Sequence, residues 1–82
     1  MISAKQIKAA RVFLEMEQRD LAAKSGLSLP TIQRMEKMGV ERSSAANAQK
    51  VQRALEDGGV EFIPENGGGA GVRLRKASDA AS

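Results

Sequence analysis

The stretch from Gln18 to Glu36 constrains this 82-residue chain more than any other. It reads Gln-Arg-Asp-Leu-Ala-Ala-Lys-Ser-Gly-Leu-Ser-Leu-Pro-Thr-Ile-Gln-Arg-Met-Glu. With Gln18 as the first position, Ala22 is fifth, Gly26 ninth, Ile32 fifteenth and Met35 eighteenth. Two helices that cross steeply need a small residue at closest approach, and Ala22 supplies it. The tight turn between them needs a residue that tolerates positive φ, and Gly26 supplies that. Ile32 and Met35 give the second helix an apolar face to pin it down. Any two of these features are common in helical hairpins. The four together predict a helix-turn-helix over 18–36.

The remaining elements follow from caps and periodicity. Ser3-Ala4-Lys5-Gln6 has the form of a capping box, with Ser3 as N-cap and Gln6 three residues on. Ile7, Ala10, Phe13 and Leu14 then form an apolar stripe on a helix running from about 4 to 15. Lys5, Lys8 and Arg11 lie on or beside its other face. Gln18 to Ser25 is a short second helix with Leu21 and Ala22 inward and Gly26 just past its end. Ser28 is the next N-cap, and Pro30 falls in the first turn, where its missing N–H costs nothing. That third helix points Ile32, Met35 and Glu36 toward the body. Gly39 to Ser43 reads as a loop. Ser44 caps a fourth helix that turns Ala48, Val51 and Leu55 inward and ends at Gly58-Gly59.

Beyond Gly59 the pattern changes. Val60-Glu61-Phe62-Ile63 and Val72-Arg73-Leu74-Arg75 are β-prone tetrads separated by a glycine-rich run. They predict a hairpin that is marginal alone and must lean on the helices or pair with a second chain. The chain thus divides into a helical head over 1–59, a hairpin over 60–76 and a frayed tail over 77–82. A chain this short buries only about 60–65% of its unfolded surface, so the elements must hold each other in place.

Composition narrows the chemistry. There is no cysteine and no histidine, which removes thiolate ligands, disulfides and the commonest general base. The scattered carboxylates form no catalytic pair, so no enzyme, metal or cofactor is expected. Asn66 to Gly71 lacks the lysine-serine/threonine ending of a phosphate loop and is read as a flexible turn. No apolar run approaches the ~18–20 residues of a membrane span, and the N-terminus lacks a signal peptide's apolar core. A cytoplasmic protein is the expectation. Thirteen Lys/Arg against ten Asp/Glu give +3, a balance that suits a polyanion without requiring one. With Phe13 and Phe62 as the only aromatics, stacking platforms for single strands are scarce.

The run Gln18–Glu36 resembles the Cro and lambda-repressor type of regulator, the Xre family, and the resemblance extends over about 5–57. It implies a mainly α, lambda-repressor-like DNA-binding domain, here with four readable helices and a hairpin where the family has another helix. It implies duplex DNA as partner and a role in transcription, most naturally as a repressor. Gln18 would meet a phosphate at the start of the second helix, with Arg19 beside it. Ser28, Leu29, Pro30 and Thr31 form the start of the recognition helix, with Gln33 and Arg34 further along. Arg34 can grip guanine, and Gln33 can read adenine. Leu29 and Pro30 depart from the polar residues usual there and can offer only apolar contact, such as to a thymine methyl. Arg11 and Glu36 match a charged pair that ties the first helix to the third; alternatively each is a solvated charge.

Lys37, Arg42, Ser43 and Ser44 surround the loop after the recognition helix, where phosphate clamping and plain solvation are both open. Lys50 and Arg53 read as a solvated face. Arg73, Arg75 and Lys76 either reach DNA or keep a strand edge soluble. A homodimer is expected, because one small head reads few base pairs, with strands 60–63 and 72–75 as its contact. Two other readings compete. One is an antitoxin, for which the hairpin and tail are short. The other is a protein-interaction module that keeps the fold without binding DNA, favoured by the apolar Leu29-Pro30 pair.

Overall fold

A computed structural model describes residues 2–64 and 67–75. Four helices are followed by a two-stranded hairpin: α1 (Ala4–Phe13), α2 (Gln18–Ser25), α3 (Leu29–Met38), α4 (Ala45–Asp57), β1 (Val60–Ile63) and β2 (Gly71–Leu74). The expected tail over 77–82, and Lys76 with it, lie outside the described residues. No helix among the described residues is long and apolar enough to cross a membrane.

The caps act as the sequence indicates. Ser3 Oγ accepts from the Gln6 backbone N–H at 3.2 Å, and Gln6 Oε1 accepts from the Ser3 N–H at 2.9 Å. Ser28 Oγ accepts from the Thr31 N–H at 3.3 Å, and Ser44 Oγ from the Asn47 N–H at 3.1 Å. Each satisfies an orphan donor of a first helical turn. Gly26 closes α2 at φ 75, a left-handed conformation that costs an L side chain roughly 1–2 kcal/mol.

α1 stops earlier than its periodicity suggests. The Met16 N–H donates to Arg11 O at 2.9 Å and the Glu15 N–H to Val12 O at 3.0 Å. Glu15 adopts φ 53 between them. This is a Schellman ending with glutamate where glycine is usual, which is why no glycine signals it. Phe13, expected inward, is still part of α1, but its helical phase turns it away from Ile7, Ala10 and Leu14. It is 50% exposed, while Leu14 packs against the core.

Ile7 and Ala10 of α1, Leu21 and Ala22 of α2, Ile32 and Met35 of α3, and Ala48, Val51, Ala54 and Leu55 of α4 converge on one core. Ile2, Val40 and Val60 complete it. Val40 opens a 3-10 turn, Val40–Arg42, where a loop is expected. Its burial is what holds that segment in place.

β1 and β2 pair antiparallel, with Val60 opposite Leu74 and Phe62 opposite Val72. β2 begins one residue before the expected strand and leaves Arg75 outside it, although the Arg75 N–H still reaches Gly59 O at 2.8 Å. The hairpin leans on the helices. Val60 is fully buried, and Phe62 and Val72 pack against the core. Buried Gln6 locks it there, because Nε2 donates to Ile63 O at 3.1 Å and to Gly71 O at 3.0 Å. At the other end Gly58 lies so close to Leu14 that an added Cβ would stand 2.8 Å from Leu14 Cδ1. β2 therefore runs beside α1 in the same direction, from Gln6 toward Leu14.

Candidate nucleic-acid interface

Part of the predicted site, Arg11, Gln18, Arg19, Leu29, Gln33, Glu36 and Lys37, gathers at the junction of α1, α2 and α3. An open cleft there is lined by Lys8, Arg11, Glu17, Gln18, Arg19, Leu29, Gln33, Glu36 and Lys37. One ion pair builds its floor. Arg11 Nε donates to Glu36 Oε2 at 2.9 Å and Arg11 Nη2 to Glu36 Oε1 at 3.1 Å, a two-pronged contact across 25 residues. The side chains are only 15% and 6% exposed. Arg11 Nη1 also donates to Met16 O at 3.0 Å. One guanidinium thus ties α3 to α1 and to the chain leaving α1. Such geometry fixes angle as well as distance, which a lysine could not do.

Gln18 is the first residue of α2, so its side chain sits beside the free backbone N–H groups of that helix. Arg19 meets Glu17 at 2.9 Å, with both side chains mostly exposed. A pair so solvated contributes about 0–1 kcal/mol, so an arriving anion can take the arginine from it. With Arg11 matched to Glu36 and Arg19 to Glu17, Lys8 and Lys37 have no ion-pair partner among the described residues. The cleft is left net positive.

α3 presents Pro30, Gln33, Arg34 and Lys37 on one exposed face at helical spacing, opposite buried Ile32 and Met35. Gln33 and Lys37 line the cleft; Pro30 and Arg34 continue the face beyond it. Leu29 is 37% exposed at the mouth of the cleft. Ser28 and Thr31 have a local task. Their hydroxyls lie 2.8 Å apart and close the cap of α3. Arg42 and Ser44 stand further along the chain, in the 3-10 turn and at the cap of α4, and do not line the cleft. Lys8 and Glu17 are the lining residues absent from the sequence-based set, and Lys8 is the one that adds positive charge. The signal was available: it stands three residues before Arg11, one turn away on the same helix.

No family model matches the chain, and no curated protein matches it.

Proposed function

We propose that the protein is a sequence-specific duplex-DNA-binding regulator of transcription, acting as a repressor and as a homodimer. The observation that carries this reading is the exposed face of α3. It combines Gln33, Arg34 and Lys37 on a helix held rigidly by Arg11–Glu36, next to the N-terminus of α2 with Gln18. A helix about 10–12 Å across fits a major groove of about 12 Å. Docked there, α3 would put Arg34 against base edges, while Gln18, Lys8 and Lys37 meet phosphates. The resemblance of 18–36 to the Cro and lambda-repressor family supports the same docking. With Leu29 and Pro30 unable to donate hydrogen bonds, DNA shape would carry part of the specificity. A dimer with half-sites about 34 Å apart supplies the rest, and the hairpin at 60–63 and 71–74 is its proposed contact.

Selection from a randomised duplex library tests the proposal. A recurring half-site should emerge, bound with steep salt dependence. Arg34→Ala should relax preference at one base position, losing about 1–3 kcal/mol of discrimination. Gln18→Ala should instead weaken all sequences alike. If both changes lower affinity uniformly, Arg34 is not a base reader. The half-exposed Leu29 beside Pro30 favours a second reading, a protein-interaction module. That reading gains if no salt-sensitive binding is seen even at about 50 mM salt.

A further inference from the structure

α1 carries a second exposed face with the wrong chemistry for water. Ala9, Val12 and Phe13 recur at i, i+3 and i+4 and line a shallow apolar hollow with Lys5 and Lys8. Val12 is 61% exposed. β2 lies beside this helix, from Gly71 on Gln6 to Arg75 on Gly59. Its last residue, Leu74, therefore reaches the same end of the molecule as Phe13, and it too is half-exposed. Leu74 belongs to the core-facing side of the sheet, opposite fully buried Val60, yet the described residues leave it half-exposed.

The edge of β2 is open as well. Arg75 and Gly59 share a ladder hydrogen bond, so by alternation Val72 and Leu74 turn their N–H and C=O groups away from β1. The sheet has no third strand among the described residues. An open edge with apolar side chains beside it is what soluble chains normally cover.

We propose that a second copy of this chain covers both features at once, with the two β2 edges pairing antiparallel and the Ala9–Val12–Phe13 faces of α1 packing beneath them. This rests on the dimer of the preceding section and narrows its surface from the whole hairpin to the open edge of β2, with α1 added beneath it. Complementarity argues for a copy of the same chain. β2 and α1 run in the same direction, so a two-fold axis that pairs the strands antiparallel also sets the two α1 helices antiparallel. The basic end of each, Lys5 and Lys8, then approaches the end of the other, where exposed Glu15 and Glu17 follow. On the outer side of the sheet each Arg73 is already matched by Glu61 of its own chain, which offsets repulsion between the two arginines. Lys8 lines both the apolar hollow and the proposed DNA cleft, so the two surfaces adjoin without overlapping at α3.

The test is sedimentation of the full chain with and without Phe13→Glu and Leu74→Glu. The wild type should be dimeric at micromolar concentration, and each substitution should raise the dimer dissociation constant by roughly 100-fold, as for a charge buried at an interface centre. Both positions are exposed in the single chain, and an unchanged helical circular dichroism spectrum will show that the variants fold. Leu74→Cys adds a gain-of-signal arm, because the natural chain has no cysteine. Oxidation should cross-link it into dimers, and Ser44→Cys, on the far side, should not. A wild type that stays monomeric at high micromolar concentration overturns the proposal. So does a dimer indifferent to both glutamates. A dimer that both glutamates dissociate, but that binds no duplex, upholds this surface and overturns the DNA reading. Monomeric Phe13→Glu that still binds a single half-site upholds both.

Discussion

The helical head and the hairpin are held by different kinds of force. In the head, ten buried residues of α1 to α4 converge on one core, and α1, α3 and α4 each begin at a serine cap. The hairpin contributes one fully buried side chain, Val60, and is otherwise secured by half-buried Phe62 and Val72 and by a single glutamine. The head is thus over-determined by area, whereas the hairpin depends on a few directed contacts. Losing any one contact should be shared across the head but should act locally on the hairpin.

The largest effect is expected in the head. Leu21→Ala removes a fully buried side chain at the meeting of α2 with its neighbours and should cost about 3 kcal/mol or more. Urea titration followed by circular dichroism should show one transition, because the hairpin cannot outlast the core it leans on. Separate transitions for head and hairpin would break the comparison. A middle effect is expected at the joint. Gln6→Ala removes both hydrogen bonds to the strands and should cost about 2 kcal/mol. Hydrogen exchange should show β1 and β2 amides opening while those of α2 and α3 stay protected. Equal loss of protection throughout would mean that the hairpin is part of the head's cooperative unit. The smallest effect is expected at Gly26→Ala, about 1 kcal/mol for an alanine held in the left-handed region. It should lower all protections together, since the turn between α2 and α3 belongs to the head.

The same contrast explains what the sequence disclosed. Helix starts at Ser3, Ser28 and Ser44, the turn at Gly26 and the inward residues of α2 and α4 are local signals, readable within a few positions. The end of α1 was not legible, because Glu15 takes a conformation that glycine usually marks. The inward placement of Phe13 failed for a different reason: its helical phase puts it with Ala9 and Val12 and not with Ile7 and Ala10. Val40 was hidden in a stretch that lacks periodicity. At the candidate site, the positions on α3 followed from helical spacing, and Lys8 was within reach of the same argument, one turn before Arg11 on α1. Nothing local marks Gln6 as more than a cap residue. Its second role depends on backbone carbonyls 57 and 65 positions away.

That separation has a consequence for the living cell. A chain elongates at about 5–20 residues per second, so Gln6 is joined to the chain roughly 3–13 seconds before Gly71 exists to receive it. Throughout that interval the nascent head carries a glutamine amide whose acceptors are not both made, next to the seat that Phe62 will take. Whatever water or chaperone occupies this seat must be displaced by a segment made later. The seat beside Gln6 is therefore closed only by residues made much later, and the strand edge that we assign to dimerisation is created only when that segment has been synthesised.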